Sequence, residues 1–297
     1  MTARTCIIFN PMARGNQTRR FRHHIRTLSA EVELRATLGP GGARPLASLA
    51  VREGFEIIVG IGGDGTLNEI INGIADIPGG LERTKLGIIP MGTANVFARE
   101  LGIPFAPNEA WTVIRQARHA TLDLLVAEYQ ADGHPQQRLF FQLGGAGLDA
   151  RAVELVHPRL KKTLGPLAYV VAGFQALFEH KPAIHVSDGA RTTTAELVLL
   201  GNGRLYGGDF VLFPDASLKD GLVNLTLFPK VNVPALLHWS YHSLLQQWEG
   251  AGYANYREAK KVTLTSPGRV PFELEGEPVG HLPLTISVRP RALRVIC

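Results

Sequence analysis

The densest concentration of chemistry-bearing residues lies between positions 57 and 74. The run Ile57-Ile58-Val59-Gly60-Ile61-Gly62-Gly63-Asp64-Gly65-Thr66-Leu67-Asn68-Glu69-Ile70-Ile71-Asn72-Gly73-Ile74 reads as a β-branched apolar strand, a glycine loop carrying one carboxylate, and a helix opening at Thr66. Leu67, Ile70, Ile71 and Ile74 recur at helical spacing and form a buried face, while Asn68, Glu69 and Asn72 fall off that face. The helix N-terminus then aims its free N–H groups and positive dipole end into the glycine loop, an arrangement that suits an anion. In letters, Gly60-x-Gly62-x-x-Gly65 meets the dinucleotide fingerprint. That fingerprint also needs an acidic residue about 20 residues on, at the end of the next strand. Here the next strand runs instead into Pro90-Met91-Gly92-Thr93-Ala94-Asn95. Asp64 beside a pyrophosphate would also set anion against anion unless a cation or proton lay between them. A carboxylate at the lip of a phosphate loop points to phosphoryl transfer with a metal rather than to hydride transfer.

A second loop of the same kind follows. Gly92-Thr93-Ala94-Asn95 offers backbone N–H groups, a hydroxyl and an amide ahead of a helical stretch. Either loop alone is a weak signal; on adjacent strands the pair is specific. Glu273, Glu275 and Glu277 alternate along Phe272-Glu273-Leu274-Glu275-Gly276-Glu277, which predicts that all three face one side of a strand entering a turn. Like charges so placed must be solvated or must hold a metal or a proton. The run from Phe213-Pro214-Asp215 to Asp220-Gly221-Leu222 reads by itself as a turn between strands. Of ten histidines, only His238 and His242 stand at i, i+4, and with no glutamate between them they read as helix surface rather than zinc ligands. A Walker lysine loop, a nucleophile elbow and CxxC pairs are absent. The cluster Arg19, Arg20, Arg22, His23, His24 and Arg26 is read as a solvated helix face, so nucleic acid is not an expected partner.

Positioning these residues takes a scaffold, and recurring strand–turn–helix units supply it. Predicted strands at 5–10, 32–37 and 85–89, together with the apolar run that opens at Ile57 and leads into the four-glycine loop, alternate with helical stretches at 19–29, 43–52, 66–74, 94–101 and 107–118. Such alternation predicts a parallel sheet with helices on both faces. Its carboxyl-end loops, carrying Asn10, Thr37, Gly62 to Thr66 and Gly92 to Asn95, would converge on one crevice. After His119 short strands dominate: 121–129 and 138–143 around the turn Ala131-Asp132-Gly133-His134, then 184–187, 196–201, 210–213, 222–228, 261–265, 271–275, 284–289 and 294–297. Helical stretches at 151–178 and 234–248 interrupt them. The expected fold class is α/β: a nucleotide-binding domain over residues 1–121 and a mostly antiparallel β-rich domain over 122–297, with the last strand free to return to the first domain and the site in the cleft between the two.

Composition fits such an enzyme. A formal charge of +5 and a pI near 9.4, carried mostly by arginine, favour an anionic partner such as a nucleotide, a phospholipid surface or a nucleic acid. Cys6 and Cys297 sit in apolar strand-like runs and are expected to be reduced core residues of an intracellular protein. No secretory signal is visible, and the longest apolar segment, 164–178, is broken by Gly165, Pro166 and Gly173 and falls short of the ~20 residues a bilayer span needs. The expectation is a soluble protein, or a peripheral one at most.

The ordered set Asn10-Pro11, Gly62-Gly63-Asp64-Gly65-Thr66-Leu67-Asn68-Glu69, Pro90-Met91-Gly92-Thr93-Ala94-Asn95-Val96-Phe97-Ala98-Arg99, Leu122-Asp123, Gly145-Ala146-Gly147-Leu148-Asp149-Ala150, Leu164-Gly165-Pro166-Leu167-Ala168-Tyr169, Gly201-Asn202-Gly203, Pro214 to Leu222 and Glu275-Gly276-Glu277 resembles the bacterial diacylglycerol kinase-like lipid kinases. These are relatives of sphingosine kinases and, more distantly, of NAD kinases and 6-phosphofructokinases. The resemblance implies ATP- and Mg²⁺-dependent phosphorylation of a hydroxyl on a lipid such as diacylglycerol, a sphingoid base or a related glycerolipid. By it, Asn10, Thr37, Gly62, Gly63, Asp64, Gly65, Thr66, Leu67, Asn68 and Thr93 bind nucleotide, with Gly92 and Asn95 of the second loop beside them. Asp220 and the carbonyls of Ser217 and Leu222 hold a largely structural Mg²⁺. Glu277 matches the proposed proton acceptor, a role the sphingosine kinase branch gives to the carboxylate equivalent to Asp64; we assign Glu277 as base and Asp64 as organiser of metal or nucleotide. Val96 stands where an aspartate is usual, and Glu275 where the pattern has Asp. The implied location is cytoplasmic and peripheral to the inner face of the membrane. The lipid would be presented at that surface, with residues 159–164 and the helix bearing Trp239, Tyr241 and Trp248 as docking candidates; a homodimer is allowed. The rival readings are an NAD kinase-like enzyme and a non-catalytic lipid or nucleotide sensor.

Overall fold

The computed structural model describes residues 3–11, 32–155, 175–177, 179, 181–244 and 254–297. The expected basic helix at 19–29, the segment 159–164 and Trp248 lie outside the described residues, as does most of 156–178. The chain forms two compact units, one made of Met1–Leu124 with Gly207–Asp209 and Pro290–Cys297, the other of Leu125–Tyr206 with Phe210–Arg289.

In the first unit, β1 (Thr5–Phe9), β2 (Val32–Ala36), β3 (Ile57–Gly62) and β4 (Lys85–Pro90) lie parallel in the order β2-β1-β3-β4. The end of the final strand, Leu284–Ile296, continues the sheet beside β4, pairing Arg294 with Lys85 and Val295 with Leu86. Every residue of β3 is buried, as an apolar run inside a sheet covered on both faces should be. Helices α1 (Ala43–Arg52), α2 (Asp64–Ala75), α3 (Gly80–Arg83), α4 (Val96–Glu100) and α5 (Pro107–Gln116) follow the strands. On α2 the side chains of Leu67, Ile70, Ile71 and Ile74 are each 2% exposed or less, and their burial contributes about 2 kcal/mol apiece.

The helix α2 departs from expectation in two respects. It opens at Asp64 rather than Thr66, because Gly63 is extended (φ −102°, ψ −173°) and the helical turn begins directly after it. Asn68 and Asn72 are buried too, so the helix is covered on more than its apolar stripe; the Asn72 amide donates to the Asn68 carbonyl at 2.9 Å. Close contact with α1 is the reason for Gly73, where a Cβ would stand 2.2 Å from the Arg44 carbonyl oxygen.

The second unit is β-rich. It continues from β5 (His119–Ala131) through β6 (His134–Phe140), β7 (Leu143–Gly147), α6 (Leu148–Leu155), β8 (Ile184–Ser187), β9 (Thr192–Ala195), β10 (Leu197–Gly201), β11 (Leu205–Tyr206), β12 (Phe210–Val211) and β13 (Val223–Phe228). After these come α7 (Val233–Leu244), β14 (Asn255–Ala259), β15 (Lys261–Thr265), β16 (Pro271–Leu274), β17 (Glu277–His281) and β18, the final strand. One antiparallel sheet has the order β14-β13-β10-β7-β16-β17, and β15 pairs with β8 and with the start of β18. Leu125, Phe140, Val198, Leu225, Val262, Phe272 and Ile286 meet in one buried core. The expected Asp-Gly turn is present, with Asp132 at φ 51° and Gly133 at φ 76°, the left-handed pair that a two-residue hairpin needs.

The stretch predicted as a strand at 138–143 is the end of β6 and the start of a separate strand, β7. The strands predicted at 284–289 and 294–297 are one strand that passes through Pro290. Cys6 is buried and its thiol is pushed up to about 12 by desolvation, but Cys297, also expected in the core, is exposed. Among the described residues no helix is long and apolar enough to cross a membrane.

Candidate active site

The chain leaves β1 for β2 on one side and returns to β3 on the other, so the sheet's topological switch point lies between β1 and β3. Ligands of open α/β sheets bind outside the carboxyl ends of the strands at such a point. There the Asn10 N–H donates to the Ile61 carbonyl at 3.2 Å, and the N–H of the buried Thr37 donates to the Phe9 carbonyl at 2.9 Å. The two glycine loops that follow β3 and β4 are in contact: a Cβ on Gly92 would stand 2.4 Å from the Cα of Gly63, and one on Gly63 would stand 3.0 Å from the Cα of Gly92. The Met91 N–H donates to the Gly62 carbonyl at 2.8 Å, which extends the β3–β4 pairing up to the loops. Gly60, the first glycine of the apparent fingerprint, serves packing; a Cβ there would meet Leu67 Cδ2 at 2.6 Å.

Asp64 binds the second loop. Its carboxylate accepts the Val96 N–H at 3.0 Å and the Phe97 N–H at 3.2 Å, capping the five-residue helix α4 from a neighbouring element. Burial raises its pKa above the ordinary carboxylate value, against the lowering effect of those N–H groups. Asn95 takes the left-handed conformation (φ 50°); its Oδ1 accepts the Gly92 N–H at 2.7 Å and its amide donates to the Gly92 carbonyl at 3.1 Å. Asn95 is therefore the clasp of its own loop. Leu67 and Asn68, predicted in the nucleotide set, are buried, and the Leu67 N–H is taken by the Gly63 carbonyl at 3.1 Å. Asn10, Thr37, Gly62 to Thr66 and Gly92 to Thr93 are thus what the unit brings to its crevice, with Thr93 exposed.

Two supports had no separate sequence signal. Glu69 accepts the Gly41 and Ala43 N–H groups at 2.8 and 2.7 Å, capping α1 across the helix pair. Arg99 donates to the Ala94 carbonyl, pairs with Asp209 at 2.5 Å and lies 4.6 Å over the Phe105 ring, so it holds the second loop from behind.

The acidic run of the second unit does not face one way. A left-handed turn at Glu275 (φ 56°) and Gly276 (φ 74°) ends β16, and the register slips between Phe272 and Glu273, so strand alternation does not carry through. Glu273 is 1% exposed and its Oε2 accepts the Gly276 N–H at 2.7 Å. Glu275 folds back so that its Oε1 accepts the Phe141 and Gln142 N–H groups, both at 2.8 Å. Glu277, at the start of β17, pairs through Oε2 with Arg138 at 2.8 Å and keeps 45% of its side chain exposed.

The predicted metal loop is a tight Asx turn. Asp220 Oδ2 accepts the Ser217 N–H at 2.9 Å and Oδ1 accepts the Leu222 N–H at 2.8 Å, so the three predicted residues do come together. Both Asp220 oxygens and the Ser217 carbonyl, which accepts the Asp220 N–H at 3.3 Å, already serve this turn; as hard oxygen donors, Asp220 and the carbonyls of Ser217 and Leu222 are the groups that would hold a Mg²⁺ keeping most of its waters.

A parallel sheet with two touching glycine loops at its switch point has the form of a nucleotide-binding α/β unit. Comparison with known proteins agrees. The diacylglycerol kinase catalytic domain model matches residues 4–127, and the YegS C-terminal NAD kinase beta sandwich-like domain model matches residues 144–297. A diacylglycerol kinase of Staphylococcus aureus is 32% identical over 292 residues, 95% of this chain and 89% of its own length. One from Staphylococcus saprophyticus is 33% identical over 258 residues, covering 85% and 80%. The crystal structure of a diacylglycerol kinase from Bacillus anthracis shares the fold, with a TM-score of 0.77 at 22% identity over 99% of this chain and 96% of that one. The chain belongs to the diacylglycerol kinase family of lipid kinases.

Proposed function

We propose that the chain transfers the γ-phosphoryl group of ATP to a hydroxyl of a membrane lipid, with diacylglycerol the first acceptor to test. The observation that carries this is the pair of touching glycine loops at the switch point of the sheet, in a chain of this family. In that reading the backbone of Gly62 to Thr66 and of Gly92 to Thr93 cradles the phosphates, with Asn10 and Thr37 at the flank. Glu277 accepts the proton of the lipid hydroxyl, and its partial exposure and its one cationic partner among the described residues suit that task. Mg²⁺ bound with the nucleotide neutralises charge on the β- and γ-phosphates. A further Mg²⁺ on Asp220 and the carbonyls of Ser217 and Leu222 would order the loop that carries them.

Peripheral attachment to the inner face of the membrane is part of the proposal. Val233, Leu237 and Tyr241 recur at i, i+4 and i+8 on α7 and are 37%, 66% and 61% exposed, an apolar stripe suited to a lipid interface. The test is phosphate transfer from labelled ATP to mixed vesicles containing diacylglycerol, a sphingoid base, ceramide or phosphatidylglycerol, with NAD as a soluble acceptor because the second domain model carries an NAD kinase-like description. Labelled lipid that disappears in Glu277→Ala is the expected result. Nucleotide binding without any labelled lipid would refute the proposal, and NADP formation would replace it.

A further inference from the structure

Two carboxyls of the second unit lie beside the same glycine, Gly145: Asp149, in the first turn of α6, and Glu273, on β16. The fold makes room for them. Glu273 lies opposite Gly145 in the β7–β16 ladder, and a Cβ on Gly145 would stand 2.3 Å from Asp149 Oδ2. The Tyr206 hydroxyl donates to that Oδ2 at 2.5 Å. Glu273 Oε2 accepts the Gly276 N–H at 2.7 Å, while its Oε1 is buried and, among the described residues, meets no hydrogen-bond donor. A buried carboxylate oxygen with no such donor, in the same buried space as a second carboxyl, calls for a proton shared between them, since two neighbouring anions away from water cannot both persist.

We propose that Asp149 and Glu273 share one proton, and that this proton locks the Glu275–Gly276 turn and so positions Glu277. The Gly276 N–H fastens one side of the turn to Glu273, and the Glu275 carboxylate, bound to the Phe141 and Gln142 N–H groups, fastens the other. Glu277 is the next residue, paired across the hairpin with Leu274. Removing the shared proton drives the two carboxylates apart and loosens the turn from the Glu273 side. The groups facing the pair are Tyr206 on β11 and Glu275 on the turn, and among the described residues no ion pair reaches either carboxyl, so no cation offsets the second charge. Burial raises both carboxyls, and Asp149 and Glu275 raise Glu273 further. Asp149 and Glu273 are positioning residues, acting through the turn.

This inference rests on the reading that Glu277 accepts the substrate proton, and the experiment separates the two. Infrared difference spectra of the whole protein, wild type against Glu273→Gln, should show the carbonyl band of a protonated carboxylic acid near neutral pH that the variant lacks. The kcat of the wild type should fall at alkaline pH, and that limb should be missing in Glu273→Gln, whose amide keeps the acceptor for Gly276 and a permanent N–H for Asp149. Glu273→Leu should lose about tenfold or more in kcat, the scale of a misplaced reacting group, with the KM for ATP unchanged. If Glu273→Leu fails to fold, the spectra and the Glu273→Gln profile still decide. No protonated-acid band in the wild type, or an unchanged alkaline limb in Glu273→Gln, would overturn the inference. Full activity in Glu277→Ala would instead overturn the assignment of the proton acceptor, and the infrared band would still test the shared proton.

Discussion

Replacing Gly92 by alanine tests whether the two glycine loops form one rigid phosphate lip. The added Cβ would stand 2.4 Å from the Gly63 Cα and 2.7 Å from Asn95 Oδ1. Ordinary carbon contacts lie at about 3.5–4.0 Å, so the two backbones must part by roughly 1 Å. Neither obstacle is the loose end of a side chain: one is main chain, and the other is an amide bound to Gly92 through both of its polar atoms. Overpacking of this kind costs about 1–3 kcal/mol, and a shift of about 1 Å at a reacting site costs up to about 10²-fold in rate. Gly63→Ala should act in the same direction but less, because its Cβ would stand 3.0 Å from the Gly92 Cα. Gly39→Ala, in the loop after β2, meets nothing within 4 Å and serves as the control. None of the three has a left-handed φ, so the series isolates steric contact from backbone strain. Calorimetric titration with ATP, the rate of phosphate transfer and the thermal midpoint should all fall in the order Gly39→Ala, Gly63→Ala, Gly92→Ala, with the first at wild-type values. A Gly92→Ala protein that binds ATP and transfers phosphate as the wild type does would refute the rigid lip.

Two further substitutions probe the supports. Gly73→Ala should destabilise the chain by about 1–3 kcal/mol in urea, because its Cβ would stand 2.2 Å from the Arg44 carbonyl oxygen and 2.9 Å from the Ala47 Cβ, wedging α1 from α2; unchanged stability would mean that the helices do not meet there. Asp64→Asn should cost about 1–2 kcal/mol at neutral pH and weaken ATP binding, since its amide N–H₂ would face an N–H of α4 that the carboxylate now accepts. The folded pKa of Asp64 is raised, so the pH-dependent part of its contribution is fully present below the unfolded value and is lost as pH rises through the folded one, leaving at neutral pH the N–H bonds to the ionised carboxylate. The slope should be steeper in the wild type than in Asp64→Asn, which keeps only the part due to Asp149 and Glu273; parallel curves would refute the burial argument.

The parallel sheet and its loops are legible because period and glycine placement are local signals. β3 needs an uninterrupted apolar run, and α2 needs its stripe of Leu67, Ile70, Ile71 and Ile74. What sequence alone hides is which partner a polar atom finds at long range. Asn72 looks like helix surface until the Asn68 carbonyl is seen to accept its amide inside a covered helix. Leu122-Asp123, part of the family resemblance, is structural here: the buried Asp123 accepts the N–H of Arg291 at 2.6 Å, 168 residues away. The alternation of Glu273, Glu275 and Glu277 fails for a local reason that the Glu-Gly pair does signal, a left-handed two-residue turn that ends the strand after Leu274.

The same long-range partners separate structural carboxylates from the one suited to move a proton. Asp64, Glu69, Asp220, Glu273 and Glu275 all accept backbone N–H groups, and each would have to release a cap or a turn to reach a substrate hydroxyl. For Asp64 that means abandoning two N–H groups of a five-residue helix. Each lost bond to a charged acceptor costs about 1.5–3 kcal/mol. Among the described residues Glu277 has an ion pair with Arg138 to loosen. Solvent at the half-exposed Glu277 screens that single pair, so loosening it costs less than breaking two N–H bonds to the part-buried Asp64. Between the two carboxylates that the resemblance offers as proton acceptor, the smaller reorganisation favours Glu277, and it leaves Asp64 as the strut that keeps the second phosphate loop against the first.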